Sequence, residues 1–323
     1  MVEMNFTNHR VVNPAALAEC KLGGFNEPSQ GRFPVASPVE VRLSSAELSN
    51  LTSLLDDIAT ATEQPVPPLV RIDTIPTSNG LRVIEVNSDI PGGMSYVMRA
   101  LQAYGCGDEA VRFVSAMRDV FGEAPAVLCS ETWPVHRKVI AMELPYYQTA
   151  IWPGMEVRTI EENPRWCFPT GRTVFRACGR AQVEHHSPLP QAKNPWGSWT
   201  FGDKRALAYR QNPLVPHGEK RDMRCGDEVP SGLVAKSAFG LGGDEVFFPG
   251  ETIHTDGSFL LQEMVQIPTA VISGTPMRYG LDVYVLSGSK GKTHFFAMSR
   301  TCRPDQKVLN ISAGGGLVPG VMH

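Results

Sequence analysis

The chain has 323 residues, a formal net charge of −3, 42% hydrophobic residues and 20% charged ones. This is a globular profile, long enough to bury cores in two or three lobes. Its 30 glycines and 26 prolines form no repeat, which excludes collagen-like and low-complexity chains.

No apolar run approaches the roughly 18 residues of a membrane helix. The near-neutral charge, without Lys/Arg blocks, argues against nucleic acid as a partner. Seven cysteines stand singly at 20, 106, 129, 167, 178, 225 and 302, with no C-x-x-C pair. That pattern argues against a structural zinc site or a disulfide framework. With no secretory segment in MVEMNFTNHRVV, reduced thiols in a cytoplasmic protein are expected.

Residues 1–40 carry Gly23-Gly24, Pro28 and Pro34 without periodicity and read as an irregular arm over the surface. Ser44-Ser45-Ala46-Glu47 has capping-box form, and Leu48, Leu51, Leu55 and Ile58 follow at helical spacing. An amphipathic helix is predicted there, ended by Pro65, Pro67 and Pro68. Strand-like runs Leu69–Thr74 and Leu81–Asn87 flank the turn signal Ser78-Asn79-Gly80. Two helices are expected over 95–105 and 108–121, broken at Gly105-Cys106-Gly107.

From Ala124 the pattern changes. Ala126–Cys129 reads as a short buried strand, Arg137–Thr149 as a helix, and Met155–Ile160 and Thr173–Ala177 as strands. That order predicts a small α/β lobe with a parallel sheet. Glu184 to Trp196 reads as a polar connector. From about Trp199 the chain is strand-rich, with runs Leu233–Lys236, Phe259–Val265, Leu281–Leu286 and His294–Met298.

The chemistry concentrates in three places. In the first, Arg71-Ile72-Asp73 and Glu85-Val86-Asn87, residues two apart share a strand face. A two-residue Asn-Gly turn puts the carboxylates on opposite faces. A three-residue loop with Gly80 left-handed sets Asp73 opposite Glu85 and Arg71 opposite Asn87. The second register is preferred, because it makes one oxygen-rich patch suited to magnesium carried in with phosphates. The plainer alternative is a solvated hairpin face with surface ion pairs.

In the second, the apolar strand Leu233–Lys236 runs into Ser237-Ala238-Phe239-Gly240-Leu241-Gly242-Gly243. A lysine beside glycine-rich backbone N–H groups suits phosphate oxygens, although neither a Walker loop nor a dinucleotide fingerprint is present. The third is Gln262-Glu263-Met264-Val265, readable as an edge strand or as a hinge whose backbone meets an adenine edge.

Taken in order, these elements resemble the ATP-grasp ligases. The closer likeness is to the circularly permuted branch, with its metal-binding strand ahead of the lysine strand, as in glutathionylspermidine synthetase and eukaryotic glutathione synthetase. Arg71-x-Asp73, then Glu85-x-Asn87 and Asp89-x-Pro91, looks like that branch's R-x-D…E-x-N-x-D-x-P run. Asn194-Pro195 with Gly202–Leu207 looks like its Asp-Lys element, and Asn310–Gly315 like its N-x-S-x-G-G run. The likeness covers roughly residues 66–95 and 195–320. One departure is Ile90–Ser95 where the relatives are Thr/Ser-rich. It leaves open whether Gly92, Gly93 or Ser95 meets an acyl phosphate.

The resemblance implies an α/β protein with α+β lobes, an ATP-grasp fold with a small parallel-sheet substrate lobe. Residues 1–123 would hold the arm, helices and metal-binding strand pair, 124–195 the small lobe, and 196–323 the nucleotide-binding portion. It implies ATP and Mg2+ as cofactors, with Asp73, Glu85 and Asn87 on the metal. Lys204, Lys236, Gly240, Gly242, Gly243, Gln262, Glu263 and Val265 would hold nucleotide, and Arg71 and Arg300 would be catalytic. The reaction would join a small-molecule carboxylate to an amine through an acyl phosphate, releasing ADP and phosphate. No nucleic acid or membrane is expected as a partner, and a homodimer is left open. Two alternatives are an ATP-dependent small-molecule kinase on the same scaffold and a non-catalytic nucleotide-binding module.

Overall fold

Ser44 begins the first long helix as its sequence predicts: its Oγ accepts from Glu47 N–H, and the Glu47 carboxylate returns to Ser44 N–H. The computed structural model describes residues 2–6, 15, 22–24, 33–88, 92–123, 125–129, 143–159, 173–177, 201–208, 211–238, 245–288, 291–309 and 315–323. In chain order come β1 (Glu3–Asn5), β2 (Leu22–Gly24), β3 (Phe33–Val35), β4 (Val39–Arg42) and α1 (Ser45–Thr62). The hairpin β5 (Leu69–Thr77) and β6 (Gly80–Asn87) leads to α2 (Met94–Ala103) and α3 (Gly107–Phe121). Then come β7 (Ala126–Cys129), β8 (Glu156–Thr159), β9 (Val174–Ala177), β10 (Gly218–Met223), β11 (Leu233–Ser237) and β12 (Val246–Phe247). The chain continues through β13 (Gly257–Glu263), β14 (Thr269–Ile272), β15 (Thr275–Ser287), β16 (Thr293–Cys302) and β17 (Gly316–Met322).

This is a mixed α/β protein, with three sheets among the described residues. The ten-stranded sheet runs β1-β4-β17-β16-β15-β5-β6, with β14 on β15 and with β3 on β17 and β2. A four-stranded antiparallel sheet runs β10-β13-β11-β12. In the third sheet, β8 and β9 both pair parallel with β7.

Alternation along β15 sorts the large sheet's two faces. Val283 and Val285 join Leu51, Leu54, Leu55 and Ile58 of α1 in one core, while Tyr284 and Leu286 join Val97, Leu101, Phe113 and Phe121 of α2 and α3 in the other. Each such side chain contributes roughly 1.5–3 kcal/mol on burial, so the helices clamp the sheet from both sides.

The arm departs from expectation. Val35, Ala36 and Val39 are buried, and β3 and β4 pair parallel with β17. A parallel partner late in the chain leaves no local signature. β17 is an equally hidden element: Pro319 and Gly320 look like breakers, yet both lie in register with β16. Over Arg137–Thr149 the described part is helical at 143–146 and becomes a π-turn at Tyr147–Ile151; 130–142 lie outside the described residues. The connector 184–196 lies outside them too.

The β5–β6 hairpin reaches the preferred register by another route. Thr77 pairs with Gly80 across a two-residue turn, and a bulge then leaves Ile84 unpaired, so that Asp73 faces Glu85 and Arg71 faces Asn87. Gly80, which closes the turn, is left-handed at φ +101 as expected, a conformation that favours glycine.

β15 can approach β5 closely because Gly280 lacks a side chain. A Cβ there would lie 2.9 Å from Thr74 O and 2.7 Å from Leu309 Cδ1. Gly280→Ala should therefore lower unfolding free energy by about 2 kcal/mol or more. Urea denaturation checks this, and a midpoint equal to the parent's would contradict the close strand contact.

Candidate functional site

Two arginines and two aspartates lock together where β5, β15 and β16 run side by side. Arg71 donates through Nε to Asp73 Oδ1 at 2.6 Å and through Nη2 to Oδ2 at 3.0 Å. Arg300 donates through Nη2 to Asp73 Oδ2 at 2.6 Å and to Asp282 Oδ1 at 3.0 Å. Its Nε lies 2.6 Å from Asp282 Oδ2, an ion pair whose N–H points off the contact. Sheet register makes the cluster, since Asp282 faces Asp73, and Tyr284 faces Arg71, across β15 and β5.

Both aspartates are 1% exposed, so each carboxylate needs its guanidinium. The solvated-hairpin alternative therefore fails at Asp73. Burial alone would raise Asp73, but Arg300 and Arg71 outweigh it and hold its carboxyl below the ordinary range. Asp282 goes the other way: burial pushes it up to about 6 against the pull of Arg300, and Asp73 adds repulsion. Asp73 and Asp282 together keep both guanidinium groups firmly charged despite burial.

Beside this cluster sits a second group built on lysines. Asp203 caps a short 3-10 turn, Lys204–Leu207, by accepting from Arg205 N–H. Lys204 N–H then donates to Ala238 O at the end of β11. The Lys204 ammonium reaches inward to within 3.5 Å of Glu85 Oε1. Lys236, from β11, donates to Gln262 Oε1 and to Ile84 O, each at 2.8 Å. The Ile84 carbonyl belongs to the bulged residue, so the irregularity in β6 supplies the lysine's acceptor. Lys236 is 8% exposed and its contacts are neutral oxygens. Burial pushes it down to about 8, Glu85 opposing and the Lys204 charge adding to the shift.

The structure thus brings together Arg71, Asp73, Arg300, Glu85, Lys204, Lys236 and Gln262. Asn87 lies opposite Arg71, with its Nδ2 buried and unpartnered. Gln262 enters through its side chain, because its backbone is paired with both Gly218 and Val234. Glu263 and Met264 commit their N–H groups to His217 and Gly232 carbonyls. Val265 packs against Ile75, Cys302 and Leu309. Gly240, Gly242 and Gly243 lie outside the described residues, as do Asp89–Pro91 and 310–314. Sequence reasoning missed Asp282 and Tyr284, although a lone aspartate inside Leu281–Leu286 was a readable signal.

Whether this site suits magnesium depends on its oxygen donors. Among the described residues no group of three His, Cys, Asp or Glu is close enough to hold a metal unaided. A magnesium ion that arrives on phosphates needs only one or two protein oxygens. Glu85 and Asn87 lie on one strand face with the Asp73 carboxylate opposite, a hard-oxygen set that fits that requirement.

No protein-family model matches the chain, and no curated protein matches it. Among solved structures it is similar to a glutathione synthetase-like effector from Globodera pallida in its apo form. The identity is 12%, over 95% of this chain and 94% of that one, with a TM-score of 0.47.

The Asp282 carboxyl gives the site a pH signature. It holds its proton up to about 6 when folded, against about 3.9 for an ordinary aspartate. The folded state therefore binds more protons between those values. The stability from this group falls as pH rises from about 4 to about 6, by up to roughly 1.4 kcal/mol per pH unit. Urea unfolding at pH 4, 5 and 6 should show the parent losing stability relative to Asp282→Asn across that interval. A constant difference between the two would contradict it.

Proposed function

We propose that the chain is an ATP-dependent carboxylate–amine ligase, working through an acyl phosphate and releasing ADP and phosphate. One observation carries this reading: Lys236 is a buried ammonium held only by neutral oxygens, beside a second buried lysine, Lys204, that reaches Glu85. An ammonium in that setting is costly unless an anion arrives. The polyphosphate of a nucleotide is such an anion, and both lysines sit where β11 leads toward the glycine-rich run 240–243.

In this reading Lys204 and Lys236 hold the polyphosphate, Gly240, Gly242 and Gly243 close over it, and Gln262, Glu263 and Val265 line the base. Asp73, Glu85 and Asn87 would hold magnesium, which supplies neutralising charge on the phosphates. The substrate carboxylate attacks the γ-phosphorus, the bond to the bridging oxygen breaks, and ADP leaves. An amine then attacks the acyl carbon, phosphate departs, and the amine's proton passes to solvent. Arg71 and Arg300 offer fixed positive charge to the transferring phosphoryl group and to the tetrahedral intermediate. The parallel sheet of β7, β8 and β9 would belong to the substrate lobe.

Two experiments test the reading. The first is ADP release, screened over paired carboxylates and amines, with hydroxylamine replacing the amine to trap a hydroxamate. Arg300→Lys keeps the charge between Asp73 and Asp282 but loses the guanidinium fork, and should cut trapping about 100-fold. Stoichiometric AMP release would rule out acyl-phosphate chemistry. Phosphorylated product without amine-dependent turnover would point to the kinase, and binding without turnover to the non-catalytic module.

The second isolates the lysine. Lys236→Met removes a buried charge, so it should raise the melting temperature of the nucleotide-free protein while weakening MgATP binding about 100-fold by calorimetry. A variant with unchanged MgATP affinity would contradict the assigned phosphate contact.

A further inference from the structure

Beyond β7 in the chain, Glu143 meets the peptide that borders the arginine–aspartate cluster. Glu143, 5% exposed, accepts Gly93 N–H on Oε1 at 2.7 Å and Ser95 N–H on Oε2 at 3.2 Å. It caps α2 from far along the chain, where Gly93, at φ +108, offers no side chain of its own. Burial raises its carboxyl, against the N–H of Gly93 and the hydroxyl of Tyr147.

The peptide that donates from Gly93 is the one whose carbonyl, Gly92 O, accepts Arg71 Nη1 at 3.1 Å and the Tyr284 hydroxyl at 2.6 Å. A peptide unit is planar and trans, so pinning its N–H sets the direction of its C=O. There is no slack around it, since a Cβ on Gly93 would lie 3.0 Å from Tyr284 Oη and 3.2 Å from Met298 Cε.

We infer that Glu143 is a positioning residue for Arg71, acting through the Gly92–Gly93 peptide. Its two N–H bonds hold that peptide with the carbonyl turned to the guanidinium, which is thereby fixed against Asp73 as well as along it. What Arg71 then does to a phosphoryl group rests on the ligase reading; the orientation itself does not.

Phenylglyoxal labelling of the full chain without nucleotide, mapped by peptide mass, reads Arg71 directly. Glu143→Met keeps the length but offers no acceptor, and should raise Arg71 modification about tenfold. Arg112 and Arg205 should be unchanged and serve as internal controls. Glu143→Gln keeps an acceptor for Gly93 N–H and should stay within about threefold of the parent. Equal Arg71 modification in the parent and the Met variant overturns the inference. A parallel rise at all three arginines also overturns it, because that marks a purely structural role. If the Met variant fails to fold, the parent decides: Gly93 and Ser95 amides should exchange at least about 100-fold more slowly than an unstructured peptide. Exchange at the unstructured rate overturns the inference. Since no step needs nucleotide, a chain that never releases ADP but shows the Arg71 response fails the ligase reading and keeps this one.

Discussion

The rest of the site hangs on the neutral four-charge cluster of Arg71, Asp73, Asp282 and Arg300. Two buried carboxylates meet two guanidinium groups by hydrogen bonds of 2.6 to 3.0 Å. Removing either partner of such a pair leaves a buried charge uncompensated, at a cost of about 3–5 kcal/mol. The cluster therefore ties β5 to β15 and β16 electrostatically where the ladder already ties them by backbone. Beside it, Lys204 reaches Glu85, and Lys236 is held by the neutral oxygens of Gln262 and Ile84. The two groups differ in what they bring together: paired opposite charges that tie three strands, and two buried ammonium groups set side by side.

What the sequence disclosed follows the range of the interaction. The capping box of α1 was legible because Ser44 and Glu47 are three residues apart and bond each other. The pairing of Arg71 with Asp73 was legible because alternate residues share a strand face. The hairpin register was legible in outcome only. The three-residue loop was preferred for the oxygen-rich patch its register makes, while the chain uses a tight turn and recovers the same alignment with an extra residue at Ile84. Turn signals cannot distinguish the two routes, since a bulge carries no fixed residue type.

Contacts between remote segments were hidden. Phe33–Val35 and Val39–Arg42 are too short to announce themselves, and their partner β17 holds a proline and two glycines. Lys236 stood out because it ends an apolar run, but nothing local predicted that its acceptor is the carbonyl of an unpaired residue in another strand. Gln262 was noticed as part of a hinge, where its backbone seemed the useful part; in a central strand only its side chain is free to act. Glu143 gave no signal of its role, because the N–H groups it caps lie about fifty residues away.

The position of β17 has a consequence for how the molecule comes into being. This strand lies inside the large sheet, between β16 on one side and β3 and β4 on the other. Its residues, 316–322, are made long after those partners from the first fifty. During synthesis β3 and β4 must wait without the strand that completes them, leaving edges open to wrong pairing. Closure is a long loop-forming event of the kind that slows folding. The joining of β3 and β4 to the large sheet should thus come late, once β17 has been made.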